Sequence, residues 1–324
     1  MSDNDRVYRT THPWISFSLR LNADIPYTLW MLLGAAESKC KHLAGIPLRP
    51  EKQRELQQIS LKKGVHATTS IEGNTLSEDD VARISEGRNH GIPKSQDYQR
   101  QEIQNMLDAY NGVAAVIAER GSCEVSLDAL KEDNALILKE CNIEEHVIPG
   151  EIRTYSVGVA HYLGAPAEDC EYLLQRLFDW LTQDWGLRKE HPLLEEILKA
   201  ITAHLYIAWI HPFGNGNGRA ARMLEFRLLM NAGVPSTAAH LLTSYYNKTR
   251  ELYYDRLAAS SRKKDPVIFI MYALQGFVDA FDGQIQNILD EQLDTTWENY
   301  VHKNCFGGKL TSALRRRRDL LLEI

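Results

Sequence analysis

Apolar residues recur at intervals of three and four along most of this chain, and strict alternation is confined to one short stretch, so helices dominate the expected fold. Leu29, Leu32, Leu33 and Ala36 share one face of a helix over 26–40 that stops before Gly45. A second helix is expected over 51–65. Gly73-Asn74 then reads as a helix stop, and Ser77 with Asp80 three residues on reads as an N-cap opening the next helix. Helical patterns follow over 98–119, 127–141 and 171–185. Residues 193–210 are almost continuously apolar, yet Glu195, Glu196, Lys199 and His204 lie among them, which points to a buried core helix rather than a membrane span. Pro212 ends that helix, and another is expected over 218–231, with Leu224 and Leu228 on one face and Gly233 and Pro235 closing it. Tyr245-Tyr246-Asn247 and Tyr253-Tyr254 decorate one further helix, and 266–285 forms another.

The alternating stretch is 150–163. Arg153, Tyr155, Val157 and Val159 stand at every second position, Gly158 is available for a turn, and Pro149-Gly150 and Gly164-Ala165-Pro166 bound the segment. It reads as a β-hairpin laid on a helical body, so the expected class is all-α with one short hairpin. No internal repeat or low-complexity tract is visible.

Hydrophobic residues at 44% and charged residues at 25% are the balance of a soluble globular protein. A net charge of −6 does not favour a dedicated nucleic-acid binder. The one basic block, Arg315-Arg316-Arg317-Arg318, reads as a solvated helix face, and Leu320 to Ile324 as an apolar tip that needs a partner or leads to a further module. The five cysteines are scattered without a C-x-x-C spacing, as expected of reduced thiols rather than a disulfide framework or zinc site. The polar start Met1-Ser2-Asp3-Asn4-Asp5-Arg6 lacks the apolar stretch of a signal peptide, so a cytoplasmic location is expected.

The connection between the two core helices carries the chemistry: His211-Pro212-Phe213-Gly214-Asn215-Gly216-Asn217-Gly218-Arg219-Ala220-Ala221-Arg222. Gly214, Gly216 and Gly218 let backbone N–H groups turn inward, and amides at a helix start form an anion nest. Arg219 and Arg222, three apart, project from one side of the first turn as planar forks suited to phosphate oxygens. The spacing is neither a P-loop, which requires a following Lys-Ser/Thr, nor a dinucleotide fingerprint. His211 is the one side chain of the motif that can accept a proton near neutral pH. Phe213 reads as a hydrophobic pin, and Asn217 as a phosphate ligand or a brace for the loop.

These residues resemble the signature of the Fic family, H-x-F-x-[D/E]-G-N-G-R-x-x-R, at His211, Phe213, Gly216, Asn217, Gly218, Arg219 and Arg222. The resemblance implies an all-helical protein that moves AMP from ATP onto a Ser, Thr or Tyr hydroxyl of a target protein. It implies that His211 is the base and that the nucleotide is held by Phe213, Gly214, Asn215, Gly216, Asn217, Gly218, Arg219 and Arg222. Asn217 and the loop amides would take the α-phosphate and the arginines the outer phosphates, with Tyr246, Asn247 and Tyr254 as base or ribose wall. The hairpin with Arg153, Tyr155, Val157 and Val159 would be the flap that docks the target by strand pairing. The family's acidic residue, which holds the Mg²⁺ bridging the phosphates, falls on Asn215, whose neutral carbonyl would hold that cation weakly. Removal of AMP, transfer of another phosphate-linked group, or a nucleotide-gated regulatory protein with little catalysis therefore remain alternatives. Self-labelling and a homodimer are further expectations of the resemblance.

Thr68-Thr69-Ser70-Ile71-Glu72-Gly73 resembles the family's inhibitory motif, [S/T]-x-x-x-E-[G/N], at Thr68, Glu72 and Gly73. It implies a glutamate that pairs with Arg222 in place of a γ-phosphate. The expected organisation is an N-terminal helical region over 1–95 carrying this brake, a core domain over 96–290, and a helical extension over 291–324.

Overall fold

The run of apolar residues after Pro192 forms the helix around which the rest is built. The computed structural model describes residues 3–19, 26–88, 92–159, 162–187 and 189–305, with side chains to residue 290 apart from Val159. In chain order the helices are α1 (Tyr8–Thr11), α2 (Tyr27–Gly45), α3 (Pro50–Ile71), α4 (Glu78–Ser85), α5 (Asp97–Arg120), α6 (Leu127–Ile137), α7 (Ala167–Thr182), α8 (Pro192–Ile210), α9 (Asn217–Asn231), α10 (Leu241–Lys248), α11 (Arg250–Lys263) and α12 (Val267–Cys305). Among the described residues the only strands are β1 (Gly158–Val159) and β2 (Tyr162–Leu163), an antiparallel pair with Gly158 opposite Leu163 and Val159 opposite Tyr162. The class is all-α.

Pro192 opens α8 at a position where its missing N–H costs nothing, and every residue from Ile197 to Ile207 is buried. A helix apolar all round must be enclosed, and α2, α7, α9, α11 and α12 pack against it. Its ionisable residues are paired inside: Lys199 meets Glu195 at 2.8 Å, and His204 lies 3.3 Å from Glu225 of α9. α9 runs back along α8 and also touches α3, α5 and α6, so the loop joining α8 to α9 is gripped from several sides.

Four expectations need correction. α3 runs on to Ile71, beyond the expected end near Val65, so Thr68–Ile71 form its last turn and Glu72 follows it. Thr69 returns its hydroxyl to Val65 O at 2.9 Å, and Thr68, Thr69 and Ile71 are buried, so packing outweighs the modest helix penalty of β-branched residues. The hairpin is far shorter than 150–163. Ile152 instead bridges to Phe213 of the α8–α9 loop, with Arg153 N donating to Pro212 O at 2.9 Å. Gly158 is a ladder residue rather than the turn; a Cβ there would lie 3.0 Å from Tyr162 O. The tyrosine-rich stretch is two helices, broken at Thr249, whose hydroxyl donates to Tyr245 O at 2.8 Å and meets Tyr272 at 2.6 Å. Finally, α12 continues through residue 290, so the border drawn there falls inside a helix. Arg315 to Arg318 and Leu320 to Ile324 lie outside the described residues.

Candidate active site

His211 ends α8 in the left-handed region at φ 52°, a conformation that histidine tolerates better than branched residues do, and its N–H still closes the helix on Ile207 O. The chain then turns through Phe213, whose ring is sunk in the core at 1% exposure. Asn217 fixes the turn: Nδ2 donates to Phe213 O and Oδ1 accepts from Phe213 N, both at 2.8 Å. Of the two roles open to Asn217, the structure shows the brace. Phe213 is likewise an anchor, and its ring is not free to touch a ligand.

Gly216, at φ 76°, caps α9, and the first intrahelical donor is Ala220 N to Gly216 O. The amides of Asn217, Gly218 and Arg219 precede it and head the helix without intrahelical acceptors. Gly214 has a steric reason to be glycine, because a Cβ there would run into the Tyr155 hydroxyl.

An anion already sits at this helix start. Glu72, the residue after α3, places Oε1 against Gly218, where a Cβ would collide with it, and 2.6 Å from Arg222 Nη2. Arg222 also donates from Nε to Thr68 Oγ1 at 2.8 Å and from Nη2 to Thr68 O at 3.1 Å. Gly73, at φ 98°, turns the chain out of α3. Tyr254 donates its hydroxyl to Ile71 O at 3.1 Å, so it holds the end of α3. Thr68 and Glu72 thus come together at Arg222, and Gly73 turns the chain away after them.

Arg219 pairs with Glu102 of α5 at 3.3 Å, and Glu102 also accepts from Asn74 just after the motif. Two guanidinium donors, Arg219 Nε and Arg222 Nη1, are buried without acceptors. Buried donors normally find a partner, so these orphans fit a site built for an anion.

Other expected residues are placed differently. Tyr246 is buried and donates to Glu225 Oε1 at 2.9 Å within a cluster with His204 and Tyr253, which removes it from a nucleotide wall. Asn247 is half-buried on α10 and Tyr254 is part-exposed on α11. Arg153 is buried too, donating to His211 O at 2.7 Å, to Tyr155 O at 2.6 Å and to Ala165 O. It ties the segment before β1 to the end of α8 and does not face a target. Tyr155 covers Gly214, Val157 O accepts from Gly164 N, and of Val159 only the backbone is described.

Two site residues escaped sequence reasoning. Asn134 of α6 is wholly buried; Nδ2 donates to Asn215 O at 3.0 Å and Oδ1 accepts from Gly150 N at 2.9 Å. Glu144, in the loop after α6, accepts from Asn215 Nδ2 at 3.2 Å. Asn134 falls within the helix expected over 127–141 and Glu144 just after it, but neither belongs to a motif, so only the fold brings them to the loop. Among the described residues no group of three or more His, Cys, Asp or Glu is arranged to hold a metal.

Burial pushes the His211 imidazolium down to about 4; the bond to the Ala208 backbone and Glu72 oppose that shift, and Arg153 adds to it. His240, enclosed by Tyr110 and Phe226 and set against Gly64, is pushed down to about 3 by burial alone. Both rings are neutral in the folded protein at pH 7. Unfolded histidines take up protons from about pH 6.5 downward. The unfolded state therefore binds more protons between pH 6.5 and 4, and stability falls as pH falls through that window. Well below pH 6.5 each ring contributes a slope of about 1.4 kcal/mol per pH unit. Thermal melts should show a Tm that drops steadily from pH 6.5 to 4.5. His240→Phe should remove about 1.4 kcal/mol per pH unit from that slope, to which His12, also lowered by burial, adds; a slope identical to wild type would place His240 outside the effect.

Residues 124–229 match the Fic/DOC family. The protein adenylyltransferase fic-1 of Caenorhabditis elegans is 28% identical over 233 residues, covering 70% of this chain and 43% of that protein. The protein adenylyltransferase Fic of Drosophila willistoni is 30% identical over 217 residues, 66% of this chain and 41% of the relative. The chain spans less than half the length of these relatives. A solved Fic family protein from Desulfovibrio desulfuricans superimposes with a TM-score of 0.65 at 23% identity, covering 91% of this chain and 84% of that one. Fic-1 (residues 134–508) from C. elegans gives 0.67 at 23%, covering 82% and 74%.

Proposed function

We propose that this chain, whose residues 124–229 match the Fic/DOC family, is a protein adenylyltransferase held back by its own Glu72. The observation that carries this reading is the carboxylate seated at the start of α9 on Arg222, a few residues from a neutral imidazole. A cradle that seats a carboxylate on a guanidinium at a helix start can seat a phosphate there, with the free helix-start amides as further donors.

In this reading His211 accepts the proton of a target hydroxyl as that oxygen bonds to the α-phosphorus of ATP. The bond from the α-phosphorus to the oxygen bridging to the β-phosphate breaks, and pyrophosphate leaves with that electron pair. The α9 amides hold the phosphates, and Arg222, once Glu72 has left it, holds the outer end. Arg219 supports them through its second face while Glu102 keeps it oriented. Phe213 and Asn217 keep the loop rigid, and Arg153 keeps the segment leading to β1 fixed to the end of α8. Magnesium, when bound, would neutralise phosphate charge, and Asn215 is the loop residue placed to hold it. Residues 1–95 carry the brake, and the transferase core begins at 96 and runs into α12, which continues past residue 290.

Asn215 favours a second reading, transfer of another phosphate-linked group or removal of AMP, because it lowers the charge offered to a cation. Labelled ATP separates the readings. With the Glu72→Gly protein, label on the α-phosphorus should become protein-bound, on a target or on the enzyme itself, and label on the γ-phosphorus should not. Mass spectrometry should find an added AMP moiety. Label from the γ position alone, or loss of AMP from a pre-labelled protein without any forward transfer, would overturn adenylylation.

A further inference from the structure

Asn215 stands where the motif's acidic residue would be, yet a carboxylate lies beside it. Asn215 Nδ2 and Glu144 Oε2 are 3.2 Å apart. Glu144 comes from the loop between α6 and β1, distant in sequence from the motif and fixed to it by buried groups. Asn134 joins the two loops by binding Asn215 O and Gly150 N at once. Val147, buried against Gly214, returns its N–H to Glu144 O at 2.9 Å and closes the turn on which Glu144 sits. The backbone of Glu144 is therefore fixed at the rim of the phosphate cradle, and its exposed carboxylate reaches Asn215 from there.

That place has the dimensions of a cation site. An octahedral Mg²⁺ holds oxygens at about 2.0–2.1 Å, so two adjacent ligands are about 2.9 Å apart. The Asn215–Glu144 separation is close to this value. A half-turn of the Asn215 amide about χ2 puts Oδ1 where Nδ2 now donates and presents two hard oxygens, one charged, to a cation between them. Mg²⁺ in nucleotide sites commonly takes one or two protein oxygens and fills the rest of its shell with phosphates and water, so no larger protein cluster is required.

We propose that Glu144 supplies the carboxylate that Asn215 lacks, so that Asn215 Oδ1 and Glu144 together form a divalent-cation site beside the phosphate cradle. The inference rests on reading that cradle as a triphosphate site. It moves the charge from the motif to a loop on the far side of α6, and it predicts cation affinity for a sequence whose motif alone implies little.

The test uses Mn²⁺ as the probe, followed by the electron paramagnetic resonance of the free ion, with a non-hydrolysable ATP analogue and protein carrying Glu72→Gly. Binding of a fluorescent nucleotide without metal is measured in parallel. Glu144→Gln should weaken Mn²⁺ binding in the ternary complex by about 10-fold or more and leave metal-free nucleotide binding unchanged. Glu145→Gln, one residue along, should change neither. Asn215→Asp added to Glu144→Gln should restore Mn²⁺ affinity. Unchanged Mn²⁺ affinity in Glu144→Gln, with nucleotide bound normally, overturns the cation site and leaves the transferase reading standing. Failure of the parent protein to bind nucleotide overturns the cradle itself.

Discussion

Glu72→Gly is expected to raise the initial rate of AMP transfer about 100-fold at saturating ATP, a shift of roughly 2.7 kcal/mol in the balance between blocked and open cradle. An exposed ion pair would not reach that figure, since such pairs contribute at most about 1 kcal/mol. Here the Arg222 side chain is 1% exposed and that of Glu72 31%, so the pair is half-sheltered, and Arg222 spends two of its nitrogens on Glu72 and Thr68. Hydrogen bonds to charged groups of this kind are worth about 1.5–3 kcal/mol each. Burial alone would raise the Glu72 carboxyl, but Arg222, then Arg219 and His211, outweigh it and hold the group below the usual carboxylate range. The carboxylate therefore stays ionised at neutral pH, and release of the proposed brake would come from displacement or movement of α3 rather than protonation. Glycine fits the backbone at this position, which has an ordinary φ of −85° at the end of a helix. Thr68, Thr69 and Ile71 keep α3 docked without the carboxylate, so the variant opens the anion site without unfolding its wall. Glu72→Gln, which can accept a hydrogen bond but carries no charge, should fall between the two. Equal transfer rates for wild type and Glu72→Gly, with ATP bound equally by both, would leave the carboxylate without a regulatory role.

The α8–α9 unit could be read from sequence almost residue for residue, because a continuous apolar run, a proline stop and alternate glycines are local signals that tertiary packing reinforces. The link between Glu72 and Arg222 was also accessible, through motif resemblance. The end of α3 was not, since Thr68 and Thr69 are poor helix formers whose burial becomes visible only once α5 and α10 pack against α3. Arg153 misled for a related reason. Its alternation with Tyr155 and Val157 suggested a pleated strand, whereas the guanidinium serves four carbonyls inside the protein. Tyr246 was drawn towards the nucleotide by its place in the chain, but its hydroxyl belongs to Glu225. Asn134 and Glu144 had no sequence signal at all, because buried amides and loop acids acquire a role only from what the fold sets beside them.

His211→Ala is expected to lower AMP transfer by about 10²–10⁴-fold, the range in which a positioned general base contributes, measured in the Glu72→Gly background so that the brake does not mask the loss. Alanine at φ 52° is also strained by roughly 1–2 kcal/mol, so a lower Tm would accompany the loss and confuse its origin. His211→Asn resolves this, because asparagine accepts the left-handed backbone and can still bond locally, yet offers no basic nitrogen. Both variants should lose transfer, with Asn near wild-type Tm and nucleotide affinity unchanged. The pH profile carries a second signature. With the imidazolium near 4, the free enzyme is in its basic form across neutral pH, so kcat/KM should be flat there and fall only in acid. A bound triphosphate brings negative charge to the ring and stabilises the imidazolium, which moves the acid limb of kcat to higher pH than that of kcat/KM. Glu72 also raises this imidazolium, so its removal lowers the limb in free enzyme and widens the gap between the two profiles. Transfer by His211→Asn at the parent rate, or acid limbs that coincide, would mean that the proton leaves the target hydroxyl by another route.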